Sequence, residues 1–528
     1  MPEGNSGRLI AEMPTDGGCG QKARYLYAPE GALRLPGTDF CRFRRSLPGA
    51  LQSVRICDSM RKEAFAFAKA LVIKMNDTEI HMLLEHAHTL YFIGIGGVSM
   101  SSLAAIAQER GYLVRGSDRM QSAVTEHLAE RGIPVYPSHR PEQVEGADAV
   151  VYTAAIREDN PELMHARELG IPCISRAVFL GWLMTGYRNR IGIAGTHGKS
   201  TTTSMCAEIL MAAGVDPTVV SGAALNDMHG CYRVGSRDFF LFEACEYTDS
   251  FLSFYPTTAV VTNVDLDHAD YFHTLERVEQ SFHRYIGLAE QAIVNWDDPN
   301  VRVVTEGYPG RVISFGLEAG DASYRAEGIQ FVHAMPSFDI YAHGAFLTHA
   351  ALHVPGKHNI YDALAAAAAA HENGIDAESI RKGLEQFRGA KRRFEFRGTV
   401  NGAALYEDYA HHPSEIRATL AAARQFGKRI LCVFQPHTYS RTAELFDGFV
   451  SAFGDADEVV FADIYAAREA NTYGVSSCQL AQHVKNARYL DSFEKIASYI
   501  RENAREGDMV FLMGAGDIIR VEELLSLH

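Results

Sequence analysis

No two of the nine cysteines in this 528-residue chain stand at C-x-x-C spacing, and their number is odd. That pattern suggests neither a disulfide framework nor a cysteine-built zinc cluster, and it fits a reducing, cytoplasmic setting. Long hydrophobic runs are also missing: no window reaches the ~18 apolar residues of a membrane span. The alanine-rich run Ala363–Ala370 is short and bracketed by Asp362 and His371. Positive charge is scarce, with 50 Lys+Arg against 65 Asp+Glu and a net charge of −15. Nucleic acid is therefore not an expected partner, and small anionic substrates must be met by local Lys, Arg and helix ends. What is present, 47% hydrophobic and 22% charged residues, is the composition of a soluble protein of about three domains at ~150 residues each.

Residues 1–74 stand apart, carrying twelve Lys/Arg against seven Asp/Glu with Gly/Pro punctuation. A short helix over Met60–Ile73 is the one periodic feature there. Residues 1–88 read as a disordered or adventitious extension, with Met75 as a natural beginning and a regulatory arm as the alternative.

The centre of the chain is Ile191-Gly-Ile-Ala-Gly195-Thr196-His197-Gly198-Lys199-Ser200-Thr201. An apolar run, a glycine turn and a helix start form a phosphate cradle: backbone N–H groups and the helix dipole face an anion, Lys199 reaches its terminal phosphates, and the Ser200 hydroxyl offers a Mg²⁺ ligand. The strict G-x-x-x-x-G-K-[ST] spacing needs a glycine where Ile193 stands, so the loop is a shortened relative. Downstream, Phe239–Phe242 ends in Glu243, where a Mg²⁺ ligand sits beside a P-loop strand. Thr258–Val264 leads to Asp265-Leu-Asp267-His268. Three strand ends carrying Lys199/Ser200, Glu243 and His268 are expected to converge at one carboxyl edge. Alone, His268 would more often be structural; beside the other two groups it reads as functional.

Upstream, Thr89–Ile93 feeds Gly94-Ile-Gly96-Gly97-Val98, and a second strand ends in Gly116-Ser117-Asp118. The order is Rossmann-like, yet the third glycine of G-x-G-x-x-G falls at Ser99, so a nucleotide diphosphate other than NAD satisfies the same loop. Asn359 heads the alanine-rich helix either as its N-cap or as a nucleotide contact. Beyond Gly389, Arg392-Arg393 precedes Asp408-Tyr-Ala-His411-His412-Pro413, and Ile430–Phe434 ends in Gln435-Pro-His437-Thr-Tyr-Ser-Arg441. Polar or glycine-rich residues after each strand describe another ligand-facing rim.

Taken in order, these segments resemble the Mur ligases, the ATP-dependent amide-bond ligases of peptidoglycan precursor synthesis, across about residues 89–520. The resemblance implies three α/β domains: a Rossmann-like UDP-binding domain (89–186), a central P-loop ATPase-type domain with a mainly parallel sheet (187–388), and a Rossmann-like C-terminal domain (389–528). It implies UDP-N-acetylmuramate on Gly94, Gly96, Gly97, Val98, Ser117, Asp118 and His139. It implies ATP on Gly195–Thr201, Asn359 and Asp408, with Mg²⁺ at Ser200, Glu243 and His268. Arg393 becomes an inter-domain phosphate contact, and His411, His412, His437 and Arg441 line the substrate and amino-acid side. The implied reaction joins L-alanine to UDP-N-acetylmuramate in a monomer or weak homo-oligomer. Residues 271–290 contain no lysine, so the carbamoylated lysine of several sister ligases is missing, which fits the alanine-adding branch. Ser200 stands where the family often has Thr, and Asp362 where it often has Asn. The alternatives are a ligase recycling a preformed murein tripeptide and a catalytically dead nucleotide-binding regulator.

Overall fold

The computed structural model describes residues 77–528, apart from residues 154, 226–229, 468, 526 and 528. The basic leader and the helix expected over Met60–Ile73 lie outside the described residues.

The parallel strands at the middle of each sheet, such as Thr89–Ile93, Thr258–Val261 and Ile430–Phe434, are short, rich in β-branched and aromatic residues and almost wholly buried, as parallel sheets covered by helices require. In the first domain all five strands run parallel in the order Val135–Tyr136, Leu113–Ser117, Thr89–Ile93, Ala149–Tyr152, Cys173–Ser175, the first five strands of the six-stranded Rossmann order. The helix Asp77–His86 precedes the first strand. Its Leu84 is fully buried in the core, so the expected boundary at residue 89 leaves out a helix that belongs to the fold. The segment is short and polar on its outer side, which hides its one buried face from a reading of periodicity.

The central sheet has ten strands, and its middle places Thr258–Val261, Asn189–Ala194 and Phe239–Glu243 side by side and parallel. One edge continues into the antiparallel strands Tyr324–Val332, Met335–Ala342 and Ala345–Ala351. The C-terminal sheet of six strands is parallel except for Glu395–Val400, which pairs antiparallel with Ala403–Asp408.

The first two domains share one hydrophobic core, in which Phe92, Phe179 and Leu183 belong with Phe242, Phe254 and Tyr285. The helix Arg176–Met184 carries Gly181 at the point of closest approach, where an added Cβ would collide with the Ser253 carbonyl oxygen. The two hydrophobic clusters of the C-terminal domain contain only its own residues. A side chain at the Gly181 contact has no room to relax, so Gly181→Val should lower the unfolding free energy by about 1–3 kcal/mol, the usual range for overpacking; urea denaturation checks this.

Candidate active site

The phosphate loop leaves the strand Asn189–Ala194 through Gly195 at φ 139° and enters the helix Lys199–Ala212 through Gly198 at φ 83°. Both positions need glycine twice over. A Cβ on Gly195 would strike Thr262 Oγ1, and one on Gly198 would meet Asp362 Oδ1 at 2.5 Å, in backbone conformations that other residues avoid. The loop is pinned from the neighbouring strand end: His197 N–H donates to Asn263 Oδ1 (2.8 Å), and Thr262 Oγ1 donates to the His197 carbonyl (2.6 Å). No side chain caps the helix that follows, so its first N–H groups are left for an anion.

The three strand ends converge as the parallel order requires. Lys199 Nζ donates to the Gly195 carbonyl (2.5 Å) and to Glu246 Oε2 (3.1 Å). The same Glu246, 2% exposed, has its Oε1 3.8 Å from His268 Nε2. Burial opposes the charge on Lys199, yet the Glu246 carboxylate keeps its pKa above the usual value. Burial lowers that of His268, whose ring lies against Tyr247 with centroids 4.5 Å apart. Ser200 Oγ donates to Glu243 Oε2 (3.2 Å), while Glu243 Oε1 accepts from Ser221 Oγ and Gly222 N–H, both at 2.7 Å. A hydroxyl and a carboxylate oxygen side by side at a phosphate loop are a donor set suited to a hard cation such as Mg²⁺.

The expected nucleotide contacts gather around a cavity of about 230 Å³ between the central and C-terminal domains, lined by Thr201, Asn359, Asp362, Arg393 and Asp408. The N-cap of the helix Lys357–Glu372 is Gly356, so the capping alternative for Asn359 falls away: its amide donates instead to the Pro355 carbonyl (2.7 Å). Asp362 accepts from Thr202 Oγ1 (3.0 Å), and burial pushes its carboxyl up to about 7. A partly protonated acid can still donate, which restores much of what an amide would offer there. Asp408 is fixed by the Ala410 and Phe394 N–H groups (2.8 and 2.9 Å). Arg393 lies over the Tyr409 ring at 5.2 Å.

On the other side of His268 is a cavity of about 220 Å³, lined by Tyr247, Asp267, His437, Arg441 and Glu469. Arg441 Nε donates to Asp267 Oδ1 (3.0 Å) and its Nη1 to His437 Nδ1 (3.2 Å). Burial pushes His437 down to about 4. His411 Nδ1 sits 3.2 Å from Glu415 Oε2, and the His412 ring caps the helix Pro413–Arg424 by accepting from Ser414 N–H (3.3 Å).

The first domain offers a third cavity, about 900 Å³, lined by Gly94, Gly97, Val98, Asp118, His139 and Arg176. Two of the expected contacts are engaged by neighbouring side chains and are not among the residues lining this cavity. Gly96 N–H is tied to Asp118 Oδ2 (2.9 Å). Ser117 is fully buried and donates to Glu162 Oε2 (2.6 Å), which also lies 2.7 Å from His139 Nδ1. Ser117 therefore supports the histidine and does not line the cavity, because the pleat of its strand points it inward.

The carboxylates that organise these groups are Glu246, Asp265, Asp267 and Glu415. Nothing in the sequence singles them out, because their partners come from remote strand ends and from the other domain: Ser414 Oγ donates to Asp265 Oδ2 (3.0 Å), Arg441 pairs with Asp267, and His197 Nδ1 lies 3.3 Å from Glu415 Oε1.

Three family models cover the chain in this order: "Mur ligase family, catalytic domain" over residues 89–188, "Mur ligase middle domain" over 193–370, and "Mur ligase, glutamate ligase domain" over 392–516. The chain belongs to the Mur ligase family. It is similar to UDP-N-acetylmuramate–L-alanine ligase of Clostridium novyi, 44% identical over 84% of this chain and 98% of that one. It is likewise similar to the ligase of the same name from Clostridium acetobutylicum, 46% identical over 82% and 96%. Among solved structures, UDP-N-acetylmuramate-alanine ligase from Thermotoga maritima superposes with a TM-score of 0.70 at 28% identity, covering 83% of this chain and 98% of that chain.

Asp265 and Glu415 hold the His197 imidazolium against the cost of burial, raising it to about 9. A raised pKa gives stability that is complete below the unfolded value of about 6.5 and disappears as pH climbs through about 9. The gap in denaturation midpoint between wild type and His197→Gln should therefore be constant below about pH 6.5 and shrink on the alkaline side; denaturant titrations across pH check it.

Proposed function

We propose that this chain joins L-alanine to UDP-N-acetylmuramate at the expense of ATP, in peptidoglycan precursor synthesis and in the cytoplasm; among the described residues no helix is long and apolar enough to cross a membrane. One observation carries the reading: Lys199, Ser200, Glu243 and His268 stand at three adjacent strand ends, and His268 lines a small cavity together with His437 and Arg441 of the C-terminal domain. The high identity to relatives of that name supports the choice of substrates.

The chemistry follows from charge. The muramate carboxylate is a poor electrophile, so the γ-phosphoryl group of ATP moves onto it, releasing ADP and leaving an acyl phosphate. The amine of L-alanine then attacks the acyl carbon, forming the amide and expelling phosphate. Each species on this path is anionic, so catalysis is mainly positioning and charge neutralisation. Lys199 exchanges Glu246 for the phosphates, the helix start at Lys199 presents its N–H groups, and Arg393 faces the nucleotide cavity from the C-terminal domain. Ser200 and Glu243 would hold Mg²⁺, with His268 toward a second ion, and the metal supplies further neutralisation of phosphate charge when bound. Gly94, Gly97 and Val98 open a helix that suits the UDP diphosphate, with Asp118 and His139 toward the uridine. Neutral His268, or His411 or His412, would take the proton of the incoming ammonium.

Lys199→Ala should reduce phosphate release dependent on UDP-N-acetylmuramate and alanine by about 10²-fold or more with the fold retained; substantial remaining activity would mean that the phosphates bind elsewhere. Supplied separately with L-alanine and with L-Ala-γ-D-Glu-meso-diaminopimelate, the protein should ligate the first. Exclusive use of the tripeptide would make it the recycling ligase.

A further inference from the structure

One ring nitrogen from each of His197 and His412 and a carboxylate oxygen of Asp265 lie within 4.8 Å of one another. Asp265 Oδ2 stands 3.9 Å from His197 Nε2 and 4.0 Å from His412 Nδ1. Donors held tetrahedrally at bonds of about 2.0–2.1 Å lie about 3.4 Å apart, so small side-chain shifts bring all three onto one ion. Nε2 of His197 is buried and has no hydrogen-bond partner. A buried nitrogen with nothing to bond normally marks a missing partner.

The surroundings are those of a supported metal site. Metal-binding histidines usually have their other nitrogen held by a carboxylate or carbonyl, and His197 Nδ1 lies 3.3 Å from Glu415 Oε1. The ligand oxygen of Asp265 is oriented by the Ser414 hydroxyl at 3.0 Å. His412 is 3% exposed and its Nδ1, the nitrogen nearer Asp265, accepts the Ser414 N–H, a hydrogen bond that coordination of an ion would replace. The set of two imidazoles and one carboxylate is softer than the oxygen pair of Ser200 and Glu243, and it favours zinc, cobalt or nickel over magnesium.

We propose that His197, Asp265 and His412 form a second kind of metal site in this protein, for Zn²⁺ or a similar divalent transition metal, with an open coordination position. The ion would staple the phosphate loop to the helix start of the C-terminal domain and fix the two domains in the arrangement seen here. This stands on the side-chain geometry alone and does not depend on the proposed reaction; an ion on His197 Nε2 takes the place of the imidazolium proton, which is released to solvent on binding.

The test is a Co²⁺ titration of the full chain in excess Mg²⁺, read by the intense visible absorption of four- or five-coordinate cobalt, with circular dichroism to verify folding. The wild type should take up one saturable equivalent. His412→Gln should weaken it by at least about tenfold, the lower range seen when metal-site support is lost, and His349→Gln, at an exposed histidine on the antiparallel edge of the central sheet, should leave it unchanged. Asp265→Asn provides a second variant should His412→Gln fold poorly, with the same loss expected. Absence of the absorption in the wild type, its persistence in folded His412→Gln or Asp265→Asn, or its loss in His349→Gln would overturn the proposal. The first of these outcomes would leave His197 simply as an imidazolium between Asp265 and Glu415.

Discussion

The buried carboxylate of Glu246 is the constraint on which the centre of this molecule depends. It pairs with Lys199 and reaches toward His268, so a cation that would otherwise pay heavily for burial is kept charged beside a helix start that also favours anions. The arrangement resembles a loaded exchange. In the proposed reaction Glu246 fills the place of negative charge until a phosphate binds, and the same lysine then has a competing partner of higher charge. The glycines around it, fixed by collisions with Thr262 and Asp362, keep the loop in the one conformation that presents backbone N–H groups to that anion.

Two kinds of contact then divide the work between domains. The first and central domains share a hydrophobic core, a close-packed joint that resists small displacements. The C-terminal domain keeps separate cores and meets the phosphate loop through Ser414–Asp265, Arg441–Asp267 and His197–Glu415. Such polar contacts part more easily than a shared hydrophobic core. In the proposed reaction the C-terminal domain is therefore the one that would move to admit substrates, and an ion at His197, Asp265 and His412 would hold it in place.

Much of this was legible from residue order. Buried strands ending in Lys199, Glu243 and His268 become neighbours because short parallel strands put their chemistry at the carboxyl edge, and the alternation of glycine turns and apolar runs marks all three α/β domains. The helix Asp77–His86 was hidden because one buried leucine gives too weak a period. The inward turn of Ser117 and the capping of the helix at Gly356 depend on the pleat and on a positive φ, neither of which a residue name reveals. The pairing of Glu246, Asp265, Asp267 and Glu415 was equally out of reach: a carboxylate within a quoted motif shows its charge, while its partner is chosen by tertiary contact. Asp362 shows the converse, since an apparent departure from the family's amide becomes chemically close to it once burial lifts its carboxyl to about 7.

The most direct measurement is a crystal structure of the protein with UDP-N-acetylmuramate and a non-hydrolysable ATP analogue. The account predicts the triphosphate on the loop Gly195–Ser200, with Lys199 Nζ turned from Glu246 onto the terminal phosphates and the muramate carboxylate directed at the γ-phosphate. A triphosphate bound elsewhere, with the Lys199–Glu246 pair intact, would contradict it.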